Sequence, residues 1–552
     1  MSKSDGVSRG LVSGLRVVAL LVLGVMVSGC SGEPPAPGPG GAAKAFPVMK
    51  WLDPAGAQAG EVLASWSLIV GNEPESAQAP DVLPLTVVAR FVVQGAGQDC
   101  GGFRLVAEGG EAAEALAPVE RQNPDAQAFP VTLCQQVLPA DWPAATLHRS
   151  GQGEPVRRWL LPDAGADEVA GAVVRFPGPY EVGRKRPGEI VMVTTGDTGC
   201  RGDEEQSQCK DRSTDWPFHR LVRIAAAEFN PDLVVHVGDY RYYHEGDTPD
   251  TWAYWYQDFF YPAQPLLSNA PWAFSRGNHE QCHNNWGAGY YWYGQGWFYF
   301  FEPTTSTETA RCPSGTQTVQ VPAWAFDVAV KSSGDAPQAD RRYRFVLLDT
   351  APDFPSDTTA RQDFERTMAG NFQQARNLAT SQDSWWVTHR PVVSLAYYAS
   401  HGGSPAWHYD DDDVRQVLAT ALAGSSLCAP ACKPSAMVTG HIHFYQAIDF
   451  YAPGSTEGDW VWPRQVIVGN GGVVDVGGLN TSPCTHSDFP LPVATEGVVR
   501  WNTQHGFTAW SRSEKSARSP SGWLEMPYFL PGSGTAAPSA ENGELAPCGP
   551  AS

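Results

Sequence analysis

The stretch LVVHVGDYRY, residues 233–242, decides the fold of this chain. Its first five residues are mostly apolar and β-branched, which is typical of a short buried strand. The run stops at Gly238-Asp239, and Tyr242 follows three residues later. A glycine at that point permits a tight turn and a close backbone approach. The pattern therefore predicts a buried strand that presents a carboxylate and a phenol at its carboxyl end.

Four further apolar runs end in short polar motifs, and helical patterns lie between them. They are Ile190–Thr195 before Gly-Asp-Thr-Gly at 196–199, Trp272–Ser275 before Gly-Asn-His-Glu at 277–280, Trp385–Thr388 before His-Arg-Pro at 389–391, and Ala436–Thr439 before Gly-His-Ile-His at 440–443. Tyr343–Leu348 and Gln465–Val468 are two more runs, and Phe218–Phe229, Asp363–Ala379 and Val414–Ala423 are the helical candidates. This alternation predicts a layered α/β arrangement, in which ligands bind at the carboxyl ends of the strands.

The motifs supply the donor types of a mixed metal site. The oxygen donors are Asp197, Asp239, Tyr242 and Asn278, and the imidazoles are His389, His441 and His443. Such mixed ligation suits iron, zinc or manganese. Each motif alone is a weak signal, but five in order, each after an apolar run, are not expected by chance.

In this order the motifs resemble those of the calcineurin-like metallophosphoesterase superfamily, and the variant is similar to purple acid phosphatases. Many members have Asp-x-His in the first motif, whereas this chain has Gly199 at the position of the histidine, and Tyr242 can take its place. Trp386 stands where the fourth motif usually has valine. The resemblance covers about residues 187–510. It implies an α/β (layered α+β) metallophosphoesterase sandwich domain, preceded by a small all-β sandwich domain.

The resemblance also implies two metal ions and the residues that bind them. The first ion would be held by Asp197, Asp239, Tyr242 and His443, and the second by Asp239, Asn278, His389 and His441. Asp239 would bridge the two ions, and His279 would be the catalytic general acid or charge stabiliser beside the phosphate. Arg390 and His244 adjoin these ligands and are weaker candidates for substrate binding. A phenolate ligand favours Fe(III) at the first site, with divalent iron, zinc or manganese at the second.

The expected reaction is hydrolysis of a small phosphate monoester by attack of a metal-bound hydroxide. Two alternatives remain: a phosphodiesterase acting on nucleotides or lipid headgroups, and a cell-surface binding protein with an inactive site. The chain has 59 acidic and 38 basic residues, a net charge of −21. This balance argues against nucleic-acid binding through phosphate contacts, which needs a basic face.

The N-terminus predicts export. Basic residues precede the apolar run Val17–Val27, which is too short to span a bilayer and is typical of a signal-peptide core. The following Val-Ser-Gly-Cys resembles a bacterial lipoprotein box, with Cys30 as the lipidated residue. We therefore expect a signal peptide at 1–29, a Pro/Gly-rich tether at 30–46, and a lipid anchor in the cell envelope. Ser31 after Cys30 resembles a signal for outer-membrane rather than inner-membrane sorting, so we expect the outer membrane or the periplasm.

The rest of the chain divides by composition. Residues 47–180 alternate short apolar runs with turn residues and predict the β-sandwich, 187–515 carry the catalytic motifs, and 516–552 read as a tail. Ten cysteines follow Cys30, and we expect five nearest-neighbour disulfides, beginning with Cys100–Cys134 and Cys200–Cys209. Half a zinc site at 428–432 is an alternative. The aromatic stretches 290–293 and 297–301 predict strand and core packing or, alternatively, a stacking wall for an aromatic or sugar-bearing substrate.

Overall fold

The structure is a computed structural model of the chain. It describes residues 54–71, 82–109, 115–160, 172–199, 217–242, 250–282, 294–313, 319–330, 341–352, 358–379, 384–392, 396–398, 406–408, 417, 436–451, 463–472, 496–502, 504–513, 523–530 and 543–544. Cys30, His244 and the predicted Cys200–Cys209 pair lie outside these residues, as do the signal-peptide and tether segments.

The seven apolar runs from Ile190 to Val468 all form strands, as predicted. In chain order the strands are β1 (Val62–Val70), β2 (Thr86–Gln94), β3 (Phe103–Ala107), β4 (Val119–Arg121), β5 (Val131–Leu138), β6 (Ala144–Arg149), β7 (Arg175–Pro177), β8 (Ile190–Thr195), β9 (Leu233–His236), β10 (Trp272–Phe274), β11 (Trp324–Val330), β12 (Arg341–Leu347), β13 (Ser384–Val387), β14 (Ala396–Tyr398), β15 (Ala406–His408), β16 (Ala436–Thr439), β17 (Tyr445–Tyr451), β18 (Arg464–Val468), β19 (Glu496–Asn502), β20 (Gly506–Arg512), β21 (Leu524–Phe529) and β22 (Gly543–Glu544).

Helices fill the connections between these strands. They are α1 (Pro217–Ile224), α2 (Trp252–Trp255), α3 (Tyr261–Leu267), α4 (Gly294–Phe300) and α5 (Thr358–Leu378), with π-helical turns at Ala225–Phe229 and Tyr256–Phe260 and 3-10 turns at Pro54–Gly56, Cys100–Gly102, Pro179–Glu181 and Asn278–Glu280. The first and second helical candidates are therefore confirmed. The third lies almost wholly outside the described residues. Within the described part of the chain, no helix is long and apolar enough to cross a membrane.

Two large mixed sheets carry the motifs. The first has the order β21-β20-β8-β9-β10-β1-β2-β5-β4 and the second β11-β12-β13-β16-β18-β17-β19-β22. β8, β9 and β10 are parallel neighbours in the first sheet, and β12, β13, β16 and β18 are parallel neighbours in the second. The fold is thus the mixed α/β sandwich that the motifs imply.

Alternating side chains of β9 explain how the layers pack. Val234 joins a cluster with Phe259 and other residues of the helices, whereas Val235 joins a second cluster with Phe345 and Val387 of the other sheet. Successive strand residues point to opposite faces, so one strand serves both interfaces. Both faces are buried, which is why the run reads as continuously apolar.

An N-terminal β-region precedes the strands that carry the motifs, as predicted, and its strands β1, β2, β4 and β5 belong to the same sheet as β8, β9 and β10. β1 pairs with β10 in parallel, Leu68 opposite Trp272, and with β2 in antiparallel. At the other edge, β21 pairs with β20, so Leu524–Phe529 of the segment read as a tail is a strand of the first sheet. A separate three-stranded sheet has the order β3-β6-β7.

The aromatic stretch 297–301 is not a strand, which corrects that part of the sequence prediction, and 290–293 lie outside the described residues. Trp297 to Phe300 end helix α4, and these residues and Phe301 are at most 2% exposed, so they form core and not a substrate wall. Two buried arginines of the N-terminal strands hold the end of this helix. Arg90 donates to the carbonyls of Phe300 and Thr304, and Arg121 to those of Phe298 and Tyr299. Carbonyls at a helix C-terminus lack helical partners, and a cation there is favourable.

Two of the predicted disulfides are present. Cys100 of the turn Cys100–Gly102 bonds Cys134 of β5, and Cys282 bonds Cys312, the two residues lying before and after helix α4 in the sequence. Both follow the nearest-neighbour order. The other three predicted pairs lie outside the described residues.

Candidate metal centre

Parallel strands bring the five motifs to one edge of the sandwich. Asp197 follows β8, Asp239 follows β9 and Asn278 follows β10, while His389 follows β13 and His441 follows β16. The carboxyl ends of parallel strands lie on the same side of their sheet, so residues more than 200 positions apart meet there. All the predicted ligands fall within the described residues, and the structure brings them together.

Three of these residues have an unusual backbone. Asp197, Asp239 and His441 have φ values of 54°, 56° and 72°. Non-glycine residues rarely adopt this left-handed region, which costs about 1–3 kcal/mol and persists where neighbouring structure enforces it. Such strain clusters at functional sites, because it aims a side chain where a regular strand would not. Here it turns the carboxylates and the imidazole toward one another.

The first group consists of Asp197, Asp239 and His443, whose donor atoms all lie within 4.8 Å of one another. The Tyr242 hydroxyl lies at its centre. It is 2.9 Å from Asp197 Oδ1, 3.3 Å from Asp239 Oδ2 and 3.0 Å from His443 Nε2. Asp197, Tyr242 and Asp239 are at most 1% exposed. This is the ligand set that the sequence predicts for the first ion.

The second group consists of Asp239, His389 and His441, with donor atoms again within 4.8 Å of one another. Asn278 Oδ1 lies 2.7 Å from His389 Nε2 and 2.8 Å from His441 Nδ1. Asp239 Oδ2 lies 3.3 Å from His389 Nε2. These are the residues predicted for the second ion, and Asp239 belongs to both groups.

A backbone carbonyl fixes the orientation of His389. Its Nδ1 lies 2.9 Å from the Val237 carbonyl oxygen, which only accepts, so Nδ1 carries a proton. Nε2 therefore turns toward the oxygens of Asn278 and Asp239. An imidazole held in this way through its other nitrogen is the usual arrangement of a metal-ligating histidine.

Burial and the neighbouring charges shift the pKa values of the acids and imidazoles in the centre. Burial raises the pKa of Asp197 above its ordinary value. Burial acts in the same direction on Asp239, but the charges of His389 and His279 outweigh it and lower the pKa of that carboxyl. Burial opposes protonation of His389, yet Asp239 raises its pKa to about 9. The Asp239 carboxylate thus strongly favours a positive charge beside it.

The donor set fits a pair of metal ions. It combines two carboxylates, a phenol, an amide oxygen and three imidazoles, which is the mixture preferred by iron, zinc and manganese. The carboxylate shared by two Asp–His groups has the position of a bridging ligand. The ligand assignment itself remains a prediction.

His279 and Arg390 border the centre. The backbone N–H of His279 donates to Asp239 Oδ1 at 3.0 Å, and its ring meets that of Tyr242 edge-on at 4.6 Å between centroids. Arg390 is buried, and its backbone N–H donates to Thr350 Oγ1 at 2.9 Å. Burial and then the positive charge of Arg390 lower the pKa of His441, which places that charge near the imidazole.

Two supporting residues escape sequence analysis. Buried His236 accepts from the Gly238 N–H through Nδ1 and contacts Thr198 Oγ1 through Nε2 at 2.9 Å, so it joins the first two motif loops. Glu280 accepts backbone N–H groups of the Asp239 loop. His236 lies inside an apolar run and Glu280 ends a quoted motif. The only signal for either is its adjacency to predicted ligands.

Comparison with known proteins gives one family match. The family model described as calcineurin-like phosphoesterase matches residues 192–445, a range that includes every residue of both groups. No curated protein matches the chain. The chain is also similar to the solved structure of PhoD: the aligned region covers 87% of this chain and 94% of the PhoD chain, with 10% sequence identity and a TM-score of 0.43. Residues 192–445 therefore form a domain of the calcineurin-like phosphoesterase family.

Proposed function

We propose that this metal-dependent phosphoesterase hydrolyses phosphate monoesters with two metal ions bound side by side. The observation that carries the proposal is the sharing of Asp239 between two Asp–His groups whose donor atoms lie within 4.8 Å of one another. Asp239 would be a ligand of both ions, because its Oδ2 lies 3.3 Å from the Tyr242 hydroxyl of the first group and 3.3 Å from His389 Nε2 of the second. When bound, two such ions supply Lewis acidity and a water of lowered pKa, and they orient both oxygens of an in-line displacement.

The chain's own residues provide the remaining chemistry. His279 is partly buried, and its backbone N–H donates to Asp239. This hydrogen bond holds the backbone of His279 beside the centre, so its ring stays close to the proposed metal site. In this proposal it donates a proton to the leaving oxygen, which would otherwise depart as an alkoxide. Arg390 contributes a positive charge near His441, and this charge favours an anionic ester over a neutral one.

Paired substrates test the reaction. We expect hydrolysis of p-nitrophenyl phosphate to exceed that of bis-p-nitrophenyl phosphate, and Asp239→Ala to reduce both to background. Asp327→Asn is a matched control, because Asp327 is also buried but pairs with Arg344 away from the motifs, at 2.7 Å. A faster diesterase reaction would instead support the phosphodiesterase alternative. Parent-level activity in Asp239→Ala would refute the catalytic assignment.

We further propose that the enzyme resembles purple acid phosphatases in its metals, with Fe(III) at the Tyr242 site and divalent iron, zinc or manganese at the other. The support is the Tyr242 hydroxyl, which lies 2.9 Å from Asp197 Oδ1 and 3.0 Å from His443 Nε2. A phenolate bound to ferric iron absorbs visible light. Metal analysis and a visible spectrum of the purified protein test this, and a colourless protein that contains only zinc or manganese would contradict it.

We also propose that the protein is exported and anchored to the bacterial cell envelope through lipid on Cys30. The support is the N-terminal sequence, together with disulfides such as Cys100–Cys134, which persist in oxidising compartments. Labelling cells with a fatty-acid analogue should mark the parent protein but not Cys30→Ala. Equal labelling of the variant, or recovery of the parent in the cytosolic fraction, would contradict the proposal.

A further inference from the structure

A second buried carboxylate, that of Glu280, lies directly behind the proposed bridging ligand. Glu280 is 0% exposed and belongs to neither group of metal-binding residues. Its Oε2 accepts the backbone N–H of Asp239 at 2.9 Å and that of Gly277 at 3.1 Å, and its Oε1 accepts the N–H of Tyr240 at 2.9 Å. Both oxygens of this side chain are therefore held by backbone N–H groups of the two motif loops.

The two accepted amides of the Asp239 loop flank a single Cα atom. The N–H groups of Asp239 and Tyr240 lie on either side of the Asp239 Cα, and each binds one oxygen of the same carboxylate. Fixing both amide planes fixes φ and ψ of Asp239, and these angles set the direction of its Cα–Cβ bond. The φ of Asp239 is 56°, a strained value that requires such support.

The contact is also reciprocal. Asp239 Oδ1 accepts the backbone N–H of His279 at 3.0 Å, while Glu280 accepts the backbone N–H of Asp239 at 2.9 Å. Each loop therefore binds the backbone of the other through a carboxylate. Asn278 lies inside the 3-10 turn Asn278–Glu280, so its distance from Asp239 is set by the same exchange.

We infer that Glu280 is a positioning residue, which sets the bridging carboxylate of Asp239 and the amide oxygen of Asn278 at the spacing that a pair of metal ions requires. The inference rests on the proposed function, because it concerns the same site. Metal-binding geometry tolerates displacements of only about 0.2 Å, and residues that orient ligands typically change metal affinity about 10–100-fold when they are replaced.

Calorimetric titration of the metal-stripped protein with Mn²⁺ tests this without relying on catalysis. Glu280→Ala removes the acceptor of all three N–H groups, and we expect its affinity for Mn²⁺ to fall about 10–100-fold. Glu280→Gln keeps one acceptor oxygen, which can still serve Asp239 and Gly277, so its loss should be smaller. A loss that follows this order identifies a positioning effect.

Asp232 offers a matched control at the opposite end of β9. It is also 0% exposed, and it accepts the backbone N–H groups of Gly183 at 3.2 Å and Val191 at 2.8 Å. Asp232→Ala should therefore lower the melting temperature as Glu280→Ala does, but leave the affinity for Mn²⁺ at the parent value. A similar loss of affinity in Asp232→Ala would show that destabilisation alone explains the effect, and would overturn the inference.

The outcomes separate the inference from the proposed function. Parent protein that binds Mn²⁺ but hydrolyses no phosphate ester contradicts the proposed function alone. A folded Glu280→Ala protein that binds Mn²⁺ as tightly as the parent contradicts the inference alone. If Glu280→Ala does not fold, Glu280→Gln decides in the same assay, and an unchanged affinity in that variant counts against the inference.

Discussion

Replacement of Gly277 by alanine should disable the metal centre while the fold is retained. Gly277 has φ −92° and ψ 171°, an extended conformation that any residue adopts, so the substitution carries no backbone strain of its own. Its effect comes from space alone. A Cβ atom at this position would lie 2.1 Å from the Asp239 nitrogen, 2.1 Å from Asp239 Oδ1 and 2.8 Å from Glu280 Oε2.

The size of the effect follows from these distances. Ordinary contact to a Cβ begins near 3.4 Å, so the Asp239 loop and the Gly277 turn must separate by about 1 Å. Backbone atoms and a hydrogen-bonded carboxylate cannot swing aside as a flexible side chain can. A displacement of about 1 Å in a catalytic group typically costs about 100-fold in rate, which corresponds to about 2.7 kcal/mol of transition-state stabilisation. We expect kcat/KM to fall by at least this factor.

The assay compares p-nitrophenyl phosphate hydrolysis at saturating metal with circular dichroism and thermal melting of the same samples. Gly370→Ala is the control, because Gly370 lies in helix α5 and a Cβ there meets nothing within 4 Å. It should stabilise the helix by up to about 1 kcal/mol and leave activity unchanged. If Gly277→Ala retains activity within about threefold of the parent, the close approach of the two loops does not control the site.

Three further outcomes are expected. Tyr242→Phe should remove the visible absorbance and release the metal of the first group, while the second group still binds one ion; unchanged absorbance would exclude the phenol as a ligand. Burial lowers the pKa of His505 to about 4, whereas an exposed histidine has a pKa near 6.5. Between these two pH values the unfolded chain binds a proton that the folded protein does not. The free energy of unfolding should therefore fall by about 3 kcal/mol as pH falls through that range. Denaturant unfolding should show a shallower pH dependence in His505→Gln, and an unchanged slope would contradict this. Replacing both Cys282 and Cys312 by alanine opens a loop with a sequence separation of 30. The free energy of unfolding should fall by about 3.6 kcal/mol, because the unfolded chain regains the entropy that the disulfide removes. An unchanged melting temperature would show that the disulfide does not stabilise the protein.

The catalytic strands and the proposed ligands could be predicted because their signals are local. An apolar run such as Leu233–Val237 followed by Gly-Asp predicts both a strand and the residue at which the strand ends. The three-dimensional meeting of these ends then follows from parallel pairing, without knowledge of any particular contact.

The features that sequence analysis missed depend on long-range packing. Nothing local in Val62–Val70 indicates that β1 pairs with β10, because the sequence pattern of a strand does not identify the strand with which it pairs. Trp297–Phe300 lacks a clear helical period, and it is helical in the structure, where Arg90 and Arg121 bind carbonyls at the end of α4. The positive φ of Asp239 is likewise imposed from outside, since the groups that hold it belong to residues 277–280.

The pairing of β1 with β10 has a consequence for how the protein can be divided. Without residues 62–138, β10 would become an edge strand, and its free N–H and C=O groups would form a template for pairing with another chain. The same cut would remove Arg90 and Arg121 and leave the carbonyls at the end of α4 buried without donors. A shortened chain containing only the catalytic motifs would then be prone to aggregate. The N-terminal strands thus cover an edge of the sheet that carries Asp197, Asp239 and Asn278.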